Sequence, residues 1–257
     1  MTGGTARRAA TIATAVLAAL VLAGCARTDY SWGWYIFNPW LPKGSSNLRF
    51  MLAGLSATIA VSVTAIVASV VLGVVLAVAG LAGNRVLRSV NRVYVEVFRA
   101  IPLLVLLLWV YYGLPVLFGL QFDVFTAGVL ALALSDAAFE AEVFRAGIQS
   151  VPRGQLEASD SLGLSGWQKY RYVVMPQAIR SILPALGNQF VYVLKMSSLV
   201  SVIGYQELTR RANELNVSEY RPLEIYTLLV LEYLALILVV SWLVRRLEWR
   251  MARSTRT

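Results

Sequence analysis

The sequence predicts an all-α membrane protein with five core transmembrane helices, preceded by an amino-terminal segment that reads as a signal peptide or an extra helix. Three observations carry this prediction. The 257 residues are 58% hydrophobic and only 14% charged, where soluble domains average about 45–50% apolar and about 25% charged. The mean hydropathy is +0.65. The charges, 23 Lys and Arg against 14 Asp and Glu for a net +9, lie between long apolar runs instead of on one basic face, so they read as topology signals and not as a nucleic-acid surface.

The spans follow in order. A helix crossing the hydrocarbon needs about 20 mostly apolar residues. Phe50 to Asn84 and Ala100 to Phe122 carry no charge at all. Val124 to Phe144 holds Asp136, Glu140 and Glu142; Ser181 to Tyr205 holds Lys195; Glu224 to Val244 holds Glu232. Orientation follows from Lys and Arg, which short cytoplasmic loops retain. Placing the stretch Arg145 to Arg180 inside puts fourteen basic residues on that side, from Arg85 to Arg99, Arg145 to Arg180 and Arg245 to Arg256. Six remain outside: Arg27, Lys43, Arg49, Arg210, Arg211 and Arg221. The carboxyl terminus is thus expected in the cytoplasm.

The expected organisation is a signal-like segment over 1–25, an external segment over 26–49, a transmembrane domain over 50–250 and a cytoplasmic tail over 251–257. Arg7 and Arg8 precede the apolar run Thr11 to Ala23, which ends in Leu22-Ala23-Gly24-Cys25, a lipobox-like string. Cys25 is therefore a candidate for lipidation on the external face, the other reading being a short additional helix. As the single Cys it allows no internal disulfide. The absence of His removes HExxH zinc sites and His-based triads, and no metal site is expected.

The polar segment 150–176 interrupts this apolar pattern. Pro152 is expected to open a short helix, Gly163 to break it, and Ser165 with Gln168 to cap a second as a capping box, which Pro176 then ends. Such an element is a docking knob for a partner or a connector on the membrane surface. Glu157-Ala158-Ser159, three residues, Gly163, nine residues and Val173-Val174-Met175-Pro176 resemble the EAA loop of ABC-importer permeases, whose pattern is EAA, three residues, Gly, nine residues, I-x-L-P. Ser159, Val173 and Met175 depart mildly in size. Tyr94 to Pro115, Glu142 to Gln155 and Pro176 to Gly204 are similar to the polar amino acid uptake subfamily, the histidine, glutamine and arginine permeases. The resemblance covers about residues 47–250.

This resemblance implies a type I ABC-importer permease fold in a prokaryotic cytoplasmic membrane, and a half-transporter that imports a polar amino acid. The implied partners are a cytoplasmic ATPase dimer, a second permease chain (identical or sister) and an external solute-binding protein. Gln155, Glu157, Ala158, Ser159 and Gly163 would form the coupling element. The chain has no GxxxxGK[ST] phosphate loop, so ATP and Mg would sit on the partner, with no cofactor of its own and no enzymatic role.

Ionisable groups at bilayer depth cost at least about 2.5–3.5 kcal/mol on insertion scales and mark pathways or buried pairs. Asp136 and Glu140, four apart, share a helical face. Glu142 and Arg145 match the subfamily's E-x-x-R and are expected to pair. Lys195 is expected to pair with a carboxylate. With Ser197 and Ser198 these residues are the candidate substrate pathway. Met196 stands where the subfamily commonly has an acidic or amide residue, and the carboxylates at 136 and 140 stand where neutral ones are frequent. That shift of negative charge suits a basic amino acid. The competing reading is an ion-coupled secondary carrier with Asp136, Glu140 and Lys195 as its relay.

Overall fold

The computed structural model describes residues 30–253; Cys25, the lipobox-like string and residues 254–257 lie outside the described residues. The chain divides into two compact units, the residues up to Trp34 and Tyr35–Thr257, and the second holds every span found among the described residues. Among the described residues every regular element is helical. We label α1 (Pro42–Leu81), α2 (Arg85–Ala100), α3 (Leu103–Phe118), α4 (Val124–Gln149), α5 (Arg153–Ser161), α6 (Gly166–Ile203), α7 (Leu208–Glu219) and α8 (Pro222–Arg253).

Four helices, α1, α4, α6 and α8, are long and apolar enough to cross a membrane, and the bent pair α2 and α3 brings the total to five. The expected first span begins earlier than its apolar run, because Pro42 at the first turn needs no N–H partner and starts the helix before Phe50. The second differs more. Its chain is broken by 102° between α2 and α3, because Ile101, the residue before Pro102, is extended at φ −81° and ψ 125°. Within α3 a π turn over Trp109–Gly113 precedes Pro115, and Gly119 in the left-handed region (φ 68°) ends the helix before Leu120 to Phe122.

The expected stop at Pro176 is also corrected. The segment after Ser165 is not a separate short helix; it runs through a π turn at Tyr170–Val174 into Met175–Met196, with Pro176 in the first turn of the latter. The π turn reroutes the backbone bonds just where a proline would leave one unmade. The span then tightens into a 3₁₀ stretch, Ser197–Ile203, closed by Gly204 at φ 95°.

At the centre of the bundle lies α4. Two thirds (67%) of its most apolar window is buried, against none of α8. Its inner face is nearly all small: Ala127, Ala131, Ala137, Ala138 and Ala141 are at most 1% exposed. Small residues are what let membrane helices approach, since lipid offers no hydrophobic gain for association. Where α1 crosses α4, a Cβ on Gly73 would lie 2.5 Å from the Glu140 Cβ. A core of Val61, Leu106, Leu107, Val110, Leu132, Val193 and Val200 joins α1, α3, α4 and α6 around it.

Candidate functional site

The loop between α4 and α6 is built from local rules. Pro152 is the N-cap of α5. The helix ends in a Schellman arrangement: Gly163, at φ 71°, donates to the Asp160 carbonyl at 2.9 Å, and Leu164 donates to the Ser159 carbonyl at 3.1 Å. Two residues on, Ser165 Oγ accepts from the Gln168 amide at 3.3 Å while Gln168 Oε1 accepts from the Ser165 amide at 2.9 Å, the predicted capping box. An ion pair of Lys169 with Asp160 ties the two helices across the turn.

This knob presents Gln155, Glu157, Ala158 and Gly163 to the outside. Ser159 is buried and donates to the Leu156 carbonyl at 2.6 Å, so its hydroxyl is satisfied where the resemblance has Ala. Leu162 and Trp167 are 78% and 71% exposed beside the turn. Trp167 stands in the first turn of α6, at the end of that helix next to the knob.

Inside the bundle the structure brings Asp136 and Glu140 to one buried face of α4, 2% and 0% exposed. Asp136 accepts from Ser69 Oγ of α1 at 2.7 Å and from Gln189 Nε2 of α6 at 2.8 Å. Glu140 has no hydrogen-bond partner for either carboxylate oxygen among the described residues. Ser69 and Gln189 were missed by sequence reasoning: Ser69 is one of several hydroxyls in its run, with Ser56, Thr58, Ser62 and Thr64, and Gln189 is an amide near the middle of a span.

Lys195 is not brought to these carboxylates. It is exposed on the surface of α6, and no ion pair joins it to either among the described residues, because its face of the helix points away from α4. Ser197 is buried and donates to the Leu194 carbonyl at 2.8 Å; Ser198 donates to the Lys195 carbonyl at 2.8 Å. Glu142 and Arg145 form a two-pronged pair, at 3.1 Å through Nε and 2.7 Å through Nη2. Arg145 also donates to Gln149 at 2.8 Å.

A second polar cluster lies between α1, α7 and α8. Glu207, fully buried, caps α7 by accepting from the Arg210 amide at 2.7 Å, and it accepts from the Tyr233 hydroxyl at 2.8 Å. The Leu208 amide donates to Thr58 Oγ1 at 3.2 Å. Burial pushes the Glu207 carboxyl above its ordinary value, against the lowering effect of those bonds.

The fold defines a polytopic, all-helical membrane protein whose centre is a small-residue helix carrying buried carboxylates. The chain belongs to the family described as binding-protein-dependent transport system inner membrane component, whose model it matches over residues 69–253. It is 38% identical over 205 residues to the glutamine transport system permease protein GlnP of Escherichia coli (strain K12), covering 79% of this chain and 94% of the relative. The putative glutamine permease of Rickettsia prowazekii (strain Madrid E) is 34% identical over 212 residues, 82% of this chain and 97% of the relative. A crystal structure of an amino acid ABC transporter with histidines superposes with a TM-score of 0.76 at 41% identity, covering 80% of this chain and 96% of that one. An inward-facing structure of the MetNI methionine ABC transporter shares the fold at 22% identity and a TM-score of 0.58. The chain is therefore a multi-pass transport subunit of the ABC type, and the ion-coupled carrier finds no support.

Proposed function

We propose that this chain is the permease half of an ATP-driven importer of polar amino acids, and that α5 with the Gly163 turn carries the motion of a cytoplasmic ATPase dimer into the membrane. The observation that carries this reading is the rigid knob itself: a Schellman turn, a capping box and an ion pair hold Gln155, Glu157, Ala158, Leu162 and Trp167 outward on a frame continuous with the spanning helix α6. A stiff lever joined to a span can transmit displacement; a loose connector dissipates it. ATP and Mg belong to the ATPase chains, and the subunit has no catalytic residue of its own.

A second permease chain completes the pathway. Ser181, Pro184, Asn188, Tyr192 and Lys195, spaced 3, 4, 4 and 3 along α6, form an exposed face too polar for lipid. It suits the wall of a water-filled path shared between two chains, with Ser198 at its end. The excess of Lys and Arg on one side supports a cytoplasmic α5 loop and carboxyl terminus, with the opposite face open to a solute-binding protein. Asp136 and Glu140, buried on α4 behind this wall, supply carboxyl oxygens whose polarity suits a basic amino acid.

Two measurements test the reading. Affinity purification of the tagged chain from membranes should bring down an ATPase, whose absence from an intact preparation would remove the importer. Asp136→Asn with Glu140→Gln should lower uptake of a basic amino acid several-fold more than that of a neutral one; equal losses would remove the substrate preference.

A further inference from the structure

The junction of α1, α2 and α4 forms a half-open cavity of about 690 Å³ lined by Arg88, Arg92, Arg99 and Arg145, with Glu96 and Glu142 as the opposing carboxylates. Their engagements differ. Arg145 is taken up by Glu142 at 2.7 Å. The Arg88 side chain donates to the Gly83 carbonyl at 3.3 Å, its one hydrogen bond among the described residues, and Arg99 lies over the Phe139 ring at 5.1 Å. Arg92 makes no hydrogen bond or ion pair among the described residues. The cavity thus holds more guanidinium than carboxylate, with donors left over.

An independent observation says what adjoins it. Along α2, Val86, Val90, Val93 and Val97 recur at intervals of 4, 3 and 4, and all are 45–67% exposed. The helix makes 102° with α3, so when α3 spans the bilayer α2 runs along its surface. A helix with an apolar stripe on one side and arginines on the other lies in the interface, valines among acyl chains and cations at headgroup depth. The cavity mouth therefore opens at the level of lipid phosphates.

We propose that this cavity is a binding site for the phosphate-bearing headgroup of an anionic phospholipid, with Arg88 and Arg92 as its donors and Arg99 contributing charge. Arginine's planar fork suits the phosphate oxygens, and a basic pocket between helices at the membrane face is the chemistry that selects an acidic headgroup over a zwitterionic one. This site is independent of which solute is transported.

The test is native mass spectrometry of the full chain, purified in detergent with whatever subunits accompany it, after addition of phosphatidylglycerol or phosphatidylcholine. Retained phosphatidylglycerol should fall about fivefold for each arginine removed in Arg88→Gln and Arg92→Gln, while phosphatidylcholine stays unchanged. Both arginines are exposed, so folding should survive, and the Arg88→Lys/Arg92→Lys variant should keep much of the binding. Equal retention of phosphatidylglycerol by wild type and the double glutamine variant would overturn the proposal. Its displacement by millimolar inorganic phosphate would overturn it too, reassigning the cavity to the free ion.

Discussion

The turn at Gly163 isolates a backbone effect from packing. Its φ of 71° lies in the left-handed region, and a Cβ placed there meets no atom within 4 Å. Substitution therefore adds no steric clash; what remains is the cost of holding an L-residue left-handed, about 1–2 kcal/mol. That lowers the equilibrium constant for the correctly turned loop roughly 5–30-fold. Asn tolerates this region and loses less, whereas a β-branched Val loses more. Amino-acid-stimulated ATPase activity in proteoliposomes should thus rank glycine first, then Gly163→Asn, Gly163→Ala and Gly163→Val. The thermal midpoint should stay within a few degrees of wild type, because the turn lies outside the spans. Full coupling in Gly163→Val would refute the reasoning, as would equal loss in Asn and Val or a midpoint that falls in step with coupling.

Gly73→Val should separate α1 from α4, because its Cβ would lie 2.5 Å from that of Glu140, an atom next to the backbone that cannot swing away. The overpacking penalty of about 1–3 kcal/mol is measurable as lost thermal stability in detergent. Glu207 should make stability fall as pH rises from about 4.5, its ordinary value, toward its raised folded value, since the folded state holds the proton more tightly than the unfolded one. Glu207→Gln should flatten that slope in thermal midpoints compared at about pH 5 and about pH 8; an unchanged slope would assign the pH dependence elsewhere.

The knob formed by α5 and the Gly163 turn was the most legible part of the molecule, because its devices act within six residues. Gly163, the Ser165 and Gln168 box, and Pro152 each specify backbone geometry with atoms they carry themselves. Pro102 and Pro176 were harder. Both forbid a backbone bond, but whether the chain bends through 102° or reroutes through a π turn depends on which neighbours can absorb the displaced groups.

By itself the sequence determined the class, the number of spans and the position of the capped polar loop between α4 and α6, since lack of charge over bilayer length and local capping need no partner elsewhere in the chain. Only the tertiary structure decided what the buried charges do. Asp136 meets Ser69 and Gln189 across 67 and 53 residues, while Lys195, matched to it by charge, lies on the opposite side of its own helix from α4. Helical periodicity says which residues share a face, but the packing of α1, α4 and α6 chooses which face turns inward, and that choice is made by close approach of small side chains over distances no local pattern encodes.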